Sequence, residues 1–181
     1  STEEHELNTL IQLIESRSLD QLVVAGKQYT KKYPHNGSGW NLLALGYKNL
    51  GNIPEAIKIY EFLVKGAPKS ASFLSNLGNT YMMVGRISES ISCYEKALEL
   101  DPNLINAIEA LGLAYLEIDQ TDKAISSFKR VISLDNNHQK SLYYLGNLYL
   151  GMDRCQEARD LFKKTSFRMS KTHYLESLYR L

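Results

Sequence analysis

The chemically most versatile residues of this chain are four histidines and two cysteines. They are His5, His35, His138, His173, Cys93 and Cys155. The sequence has no His-Glu-x-x-His arrangement and no closely spaced cysteine pair, so the usual zinc-ligand spacings are missing. No histidine lies at helical spacing from either cysteine, which leaves both thiols without the base that a nucleophile needs. The sequence therefore predicts no catalytic residue, no metal site and no cofactor.

Two further patterns also give no support for catalysis. Glu89 and Glu95 form an acidic pair, but both fall on a predicted exposed helix face, where a charge usually favours solubility. Gly78, Gly112 and Gly146 lie inside predicted helices with no strand before them, so they cannot cradle a phosphate group. We predict that the chain is not an enzyme in its own right.

The elements that hold these residues recur at an interval of 34 residues. In each interval a small residue is followed three positions later by tyrosine, and an aromatic residue recurs in the second half. The three columns are Ala44, Gly78, Gly112 and Gly146; Tyr47, Tyr81, Tyr115 and Tyr149; and Tyr60, Tyr94, Phe128 and Phe162. A repeat of this length indicates stacked helical hairpins, because one hairpin cannot bury its apolar face alone. The small column lets two helices approach closely, and the aromatic columns fill the space between helix pairs.

The interval 71–104 shows the pattern most fully. It contains Leu74, Leu77, Gly78, Tyr81, Gly85, Ser90, Tyr94, Ala97, Leu98 and Pro102. This pattern resembles the tetratricopeptide repeat. The resemblance implies an all-α fold, a right-handed α-α superhelix of about five helix pairs plus a C-terminal capping helix. It also implies a chain that binds other proteins and has no active site.

The intervals divide the chain into six predicted segments. These are a degenerate helical hairpin over 1–36, repeats over 37–70, 71–104 and 105–138, a repeat with a degenerate second helix over 139–170, and a capping helix over 171–181. In the fourth repeat Arg159 and Ser166 replace apolar residues, so we expect stacking to end there. Asp119 and Asp153 replace glycine at the bend between helices, and aspartate tolerates left-handed turns. Ser38 is expected to cap the first helix of its repeat.

Composition narrows the classes of partner. The chain has 21 basic and 20 acidic residues, a net charge of +1, with both signs interspersed. Nucleic-acid binding normally requires a clustered basic face, so we predict none. The longest apolar runs fall far short of the ~20 residues of a membrane-spanning helix, so no membrane insertion is expected. Because Cys93 and Cys155 lie in repeats that are not neighbours, they are not expected to form a disulfide, and a reducing, cytoplasmic location fits.

In tetratricopeptide arrays the first helix of each pair lines a concave groove, and the resemblance therefore identifies the residues that face a ligand. The predicted groove residues are Asn41, Asn76, Asn79, Met82, Leu116, Tyr143, Tyr144, Asn147 and Leu150. The same helix face also carries Leu45, Lys48 and Glu109. Asparagine amides both donate and accept hydrogen bonds, which suits the backbone of an extended peptide. Met82, Leu116 and Leu150 share a column and would form an apolar stripe that meets water unless a partner covers it.

Two alternatives to a groove stay open at this point. The apolar stripe could pack against the neighbouring first helix, and the asparagines could form a solvated polar face. Chaperone-binding members of the family grip a C-terminal carboxylate with a cradle of lysine, asparagine and arginine. The corresponding positions here are Asn41, Leu45, Asn106 and Ala110, so that cradle is missing.

The sequence thus favours a protein-interaction scaffold that binds a peptide or helical segment of a partner, as a monomer or weak homodimer. A second possibility is a substrate-recruiting accessory domain of a larger enzyme, because Leu181 is reached with no helix stop signal. The segment from Tyr174 to Leu181 resembles the junction that precedes a transferase domain in some bacterial proteins. A third possibility is a self-associating structural module. The start at Ser1 without methionine indicates an excised or processed terminus.

Overall fold

The computed structural model of the chain describes residues 1–165, which form ten α-helices and no β-strand. The helices are α1 (Thr2–Glu15), α2 (Leu19–Lys32), α3 (Gly37–Asn49), α4 (Ile53–Gly66), α5 (Ala71–Met83), α6 (Ile87–Leu100), α7 (Ile105–Glu117), α8 (Thr121–Leu134), α9 (Gln139–Gly151) and α10 (Cys155–Phe162). The prediction of an all-α fold built from helix pairs is therefore confirmed. The predicted capping helix over 171–181 and Ser166 lie outside the described residues.

The described helices form two compact units, one over residues 1–100 and one that begins at Asp101. In the first unit each helix from α1 to α6 packs against the next, and α1 also contacts α3. In the second unit α7 packs on α8, α8 on α9 and α9 on α10. Within each unit, a helix therefore buries its apolar face against the helices before and after it in sequence.

A left-handed residue marks the bend inside every helix pair. Gly51 and Gly85 have φ of 80° and 74°, and Asp119 and Asp153 take the same role with φ of 56° and 58°. The prediction that aspartate replaces glycine at this bend is confirmed. Arg17 has φ of 56° in the first pair, although arginine rarely adopts this conformation. The repeated geometry of the pair, and not local preference, therefore sets the backbone there.

Side-chain caps precede the first helices α1, α3, α5 and α9, whereas α7 has no side-chain cap. Asn36 accepts a hydrogen bond from the Gly39 amide at 3.0 Å, and Ser70 accepts one from Phe73 at 3.3 Å. The prediction of Ser38 as a cap is wrong, because α3 begins at Gly37 and therefore already includes Ser38. A side-chain oxygen must precede the first helical residue to reach the free amides of the first turn.

The small and aromatic columns meet inside the pairs α5–α6, α7–α8 and α9–α10, whereas the sequence analysis places the aromatic rings between neighbouring pairs. A Cβ built on Gly78 would lie 2.7 Å from Cε1 of Tyr94, and one on Gly146 would lie 2.5 Å from Cε1 of Phe162. Such distances are too short for carbon atoms, so the ring occupies the space that a side chain would need. The four rings of the aromatic column are at most 3% exposed. Contact between ring and glycine thus sets the separation of the two helices.

The tyrosine column carries a second, electrostatic contact. The Arg86 guanidinium lies 4.2 Å from the Tyr81 ring centroid, and that of Arg154 lies 4.1 Å from the Tyr149 centroid. Each arginine also forms an ion pair with the glutamate three residues later. The negative face of the ring attracts the cation. The arginine therefore joins the end of the first helix to the start of the second.

We predict that Gly78→Ala destabilises the fold. The added methyl group must displace the Tyr94 ring, at a cost of about 1–3 kcal/mol, which outweighs the ~1 kcal/mol that alanine gains over glycine in a helix. Urea denaturation followed by circular dichroism measures the change in the free energy of unfolding.

Gly66→Ala is the matched control, because this glycine is also helical but has no atom within 4 Å of an added Cβ. The control should leave the free energy of unfolding unchanged or increase it by up to about 1 kcal/mol. Equal effects of the two substitutions would contradict the role assigned to the ring contact.

Candidate functional site

Two predicted groove residues of the first unit come together in the structure. Nδ2 of Asn76 on α5 donates a hydrogen bond to Oδ1 of Asn41 on α3, at 3.0 Å. Both side chains are half-buried. Since α3 and α5 are the first helices of consecutive pairs, this bond joins one repeat to the next along the face that we predict to contact a ligand.

The asparagine pair leaves one amino group and one carbonyl oxygen without a partner among the described residues. After the mutual bond, Asn41 retains its Nδ2 hydrogens and Asn76 retains Oδ1, and neither has another partner in the part of the chain that the structure describes. If the oxygen and nitrogen positions of both amides are exchanged, one amino group and one carbonyl oxygen still have no partner in that part of the chain. The pair therefore offers a donor group and an acceptor oxygen, and a peptide group can bond to both.

Asn79 is held from inside its own helix pair. The hydroxyl of Tyr94 on α6 donates to Oδ1 of Asn79 at 2.6 Å. Burial raises the pKa of the Tyr94 phenol to about 12, so the hydroxyl keeps its proton and acts as a donor at neutral pH. The Asn79 carbonyl is thus occupied, and its Nδ2 group is what remains for a ligand.

Asn147 occupies the same column two repeats later, in the second unit, but its environment differs. The position equivalent to Tyr94 is Phe162, which has no hydroxyl. Oδ1 of Asn147 is enclosed and has no hydrogen-bond partner among the described residues. An enclosed polar atom without a partner costs about 1–3 kcal/mol. The two predicted site asparagines are therefore not equivalent.

The predicted site tyrosines belong to an aromatic cluster of the second unit. The Tyr144 ring stacks on Phe128 of α8 at a centroid distance of 5.4 Å and an angle of 17°. Tyr143 meets Tyr144 edge-on at 5.8 Å. Both tyrosines are half-buried. Part of each ring therefore packs α9 against its neighbours, and the remainder is accessible to a ligand.

The predicted apolar stripe is only partly accessible. Met82 on α5, in the first unit, and Leu116 on α7, in the second, are half-buried. Leu150 on α9 is 5% exposed. The expectation that Leu150 meets water is wrong, because this side chain is already covered and has almost no surface left for a partner to bury.

Glu109 is a structural residue of the second unit and does not face a ligand as its register predicts. It is 9% exposed, and its carboxylate lies 3.4 Å from Nε2 of His138 and 3.7 Å from Nζ of Lys140. Nδ1 of His138 also accepts from the Ser141 amide at 3.3 Å, which caps α9. In the sequence this cluster is visible as an acidic residue on α7 and two basic residues at the start of α9, about one repeat later.

Among residues 1–165 no three His, Cys, Asp or Glu side chains group as metal ligands would. Cys93 and Cys155 are buried free thiols, and burial raises the pKa of Cys93. The longest helices of residues 1–165 have 14 residues, and none of the helices there meets the length and apolarity needed to span a bilayer.

Comparison with known proteins identifies the repeats. Two family models described as tetratricopeptide repeat match the chain, over residues 71–104 and 93–126. No curated protein matches the sequence significantly. The resemblance to the tetratricopeptide repeat is confirmed.

Solved structures of the same fold cover nearly the whole chain. A thermophilic TPR protein of Thermus thermophilus, TTC0263, is 21% identical with a TM-score of 0.76, and the match covers 98% of this chain and 99% of that one. Pseudomonas aeruginosa pilF is 16% identical with a TM-score of 0.89, covering 98% and 83% of the two chains. MamA of Desulfovibrio magneticus RS-1, residues 41 to the end, is 18% identical with a TM-score of 0.79, covering 91% and 93%. At these identities the likeness shows the fold alone.

We predict opposite effects for two substitutions in the aromatic column. Tyr94→Phe removes the hydroxyl that Asn79 accepts from and should lower the free energy of unfolding by about 1–2 kcal/mol. Phe162→Tyr supplies a hydroxyl beside Asn147 and should raise it, by up to about 1 kcal/mol. Urea denaturation of both variants measures the two changes. A Tyr94→Phe variant as stable as the unsubstituted chain would show that the hydroxyl does not hold Asn79.

Proposed function

We propose that this tetratricopeptide-repeat chain is a protein-interaction scaffold whose first helices bind an extended segment of a partner protein. The tetratricopeptide fold supports protein interaction in general. The observation that carries the finer proposal is the Asn41–Asn76 pair, which after its internal bond keeps an amino group and a carbonyl oxygen without a partner among the described residues. An extended segment presents one backbone N–H and one C=O per residue, so a single residue of the ligand can satisfy both.

Apolar side chains beside the asparagine pair would supply the rest of the binding energy. Leu45 lies one helical turn after Asn41 on the same face of α3, and Met82 lies on the last turn of α5. Both are half-buried. Covering such partly exposed apolar surface contributes about 25 cal/mol per Å² before the cost of ordering the ligand.

In the second unit the proposal uses the corresponding first-helix residues. Leu116, Tyr143, Tyr144 and Asn147 are half-buried and keep accessible surface. Tyrosine rings suit this role because they bury a large area with few rotatable bonds. Leu150 is left out of the contact surface because it is already covered.

The proposed compartment is a reducing one, such as the cytoplasm. Both cysteines are free thiols and both are buried. A secreted chain usually has its cysteines in disulfides, whereas free buried cysteines are common where thiols are kept reduced. The proposal assigns the chain no catalytic role, in keeping with the scattered histidines and thiols.

We predict that the double substitution Asn41→Ala with Asn76→Ala weakens peptide binding about tenfold. Two backbone hydrogen bonds of about 0.5–1.5 kcal/mol each would be lost. The probe is a phage-displayed library of random peptides of about 12 residues, selected on the unsubstituted chain. Selected peptides are then synthesised, and their dissociation constants are measured by fluorescence polarisation.

Asn49→Ala is the control, because this asparagine is exposed at the last residue of α3. It should leave the dissociation constants unchanged, and thermal unfolding should confirm that all variants fold. If the double variant binds the selected peptides as well as the unsubstituted chain does, the asparagine pair is not part of the binding surface. If the library yields no binding peptide, the proposed function itself is wrong.

A further inference from the structure

Lys48 is a half-buried cation on the ligand-binding face of the first unit. It lies on the last turn of α3, two turns after Asn41, and shares a repeat column with Met82. The face of α3 therefore carries an amide, an apolar side chain and an ammonium group in order, at Asn41, Leu45 and Lys48. All three side chains are half-buried.

No carboxylate of the described residues pairs with the Lys48 ammonium. Helices α3 and α5 contain no aspartate or glutamate. Most of the acidic residues on α1 and α4 contact other groups. These contacts are Glu3 with Asn36, Glu4 with Ser1, Glu6 with Lys32, Glu55 with Lys58 and Glu61 with Tyr81. Glu15 of α1 and Asp20 of α2 are exposed and form no ion pair with Lys48.

An ammonium in this position is unfavourable for folding. Burial alone lowers the pKa of Lys48, which means that the folded chain disfavours its charged form. The C-terminal end of α3 offsets part of this cost, because helix carbonyls there attract a cation. No other contact of the described residues stabilises the charge. Lys48 therefore has no evident structural role that methionine would not serve better.

The same surroundings would strengthen a contact with an incoming anion. Leu45 lies one turn before Lys48 on the same face of α3, and Met82 holds the equivalent position on α5. A carboxylate that reaches the ammonium there is partly shielded from water, so the hydrogen bond between the charges is stronger than at an exposed site. Asn41 and Lys48 are separated by about 10 Å along the helix, a span that about three residues of an extended chain cover.

From this juxtaposition of an unpaired ammonium, an asparagine pair and partly exposed apolar side chains, we infer that the scaffold recognises acidic segments. The asparagine pair binds the backbone of the segment, and Lys48 binds a carboxylate about three residues away. This inference rests on the proposed function and adds the chemical class of the partner. The carboxylate comes from an aspartate or glutamate side chain or from a free C-terminus, which share the same anionic group.

The test compares the unsubstituted chain with Lys48→Met in selections from the same random-peptide library. Methionine keeps the length and apolar character of the lysine stem, and removing a half-buried charge should leave the melting temperature equal or higher. Lys65→Met, at an exposed position near the end of α4, is the matched control. We expect aspartate or glutamate to be enriched at one peptide position with the unsubstituted chain and with Lys65→Met, but not with Lys48→Met.

Synthetic peptides then identify the source of the carboxylate. Replacing the selected glutamate by glutamine, or amidating the C-terminus, should weaken binding to the unsubstituted chain about tenfold for the group that Lys48 contacts. The same change should alter binding to Lys48→Met less than twofold. If the loss of the peptide carboxylate weakens binding only when Lys48 is present, the carboxylate and the ammonium contact each other directly.

Three outcomes would overturn the inference. Selected peptides could lack any acidic preference, or the preference could persist in Lys48→Met, or the glutamine peptide could lose equal affinity for both chains. In each case the proposed function stands if the double asparagine variant still loses binding. Failure to select any peptide would instead reject the proposed function, and this inference with it.

Discussion

The contact between an aromatic ring on one helix and a glycine on its partner sets the geometry of this molecule. In the pair α5–α6 the Tyr94 ring fills the space where Gly78 would otherwise carry a side chain. The two helices approach more closely than larger side chains allow, and the ring is removed from water. Because the same contact recurs with Phe128 and Phe162, every later helix pair inherits a similar separation. Left-handed bends can then recur at the same interval.

The ring contact also connects the fold to the proposed binding surface. The ring of Tyr94 packs inside its pair, and its hydroxyl reaches Asn79 on the first-helix face. A single side chain therefore fixes both the helix separation and the orientation of a site amide. Phe162 makes the packing contact without the hydroxyl, and Asn147 is left with an enclosed oxygen that no described residue satisfies. A residue of this column can therefore fill the space between two helices without donating a hydrogen bond to the asparagine beside it.

Two charged residues on the first helices differ in whether a group of opposite charge lies beside them. Glu109 is nearly buried and contacts His138 and Lys140, so its charge is compensated within the fold. Lys48 is half-buried and has no such compensation. Since an uncompensated charge lowers stability, its presence on the face that also carries the asparagine pair is better explained by binding than by folding. The proposed specificity for acidic segments follows from this difference.

The sequence by itself determined the helix pairs, their columns and the aspartates at the bends, because these features depend on periodicity that local spacing already contains. It did not determine which side chains on the predicted face would meet. That Asn76 contacts Asn41 and that Leu150 is covered depend on how far side chains of neighbouring helices reach. A repeat interval assigns a residue to a face of its helix. Only packing against another helix decides whether that residue is covered, paired or available.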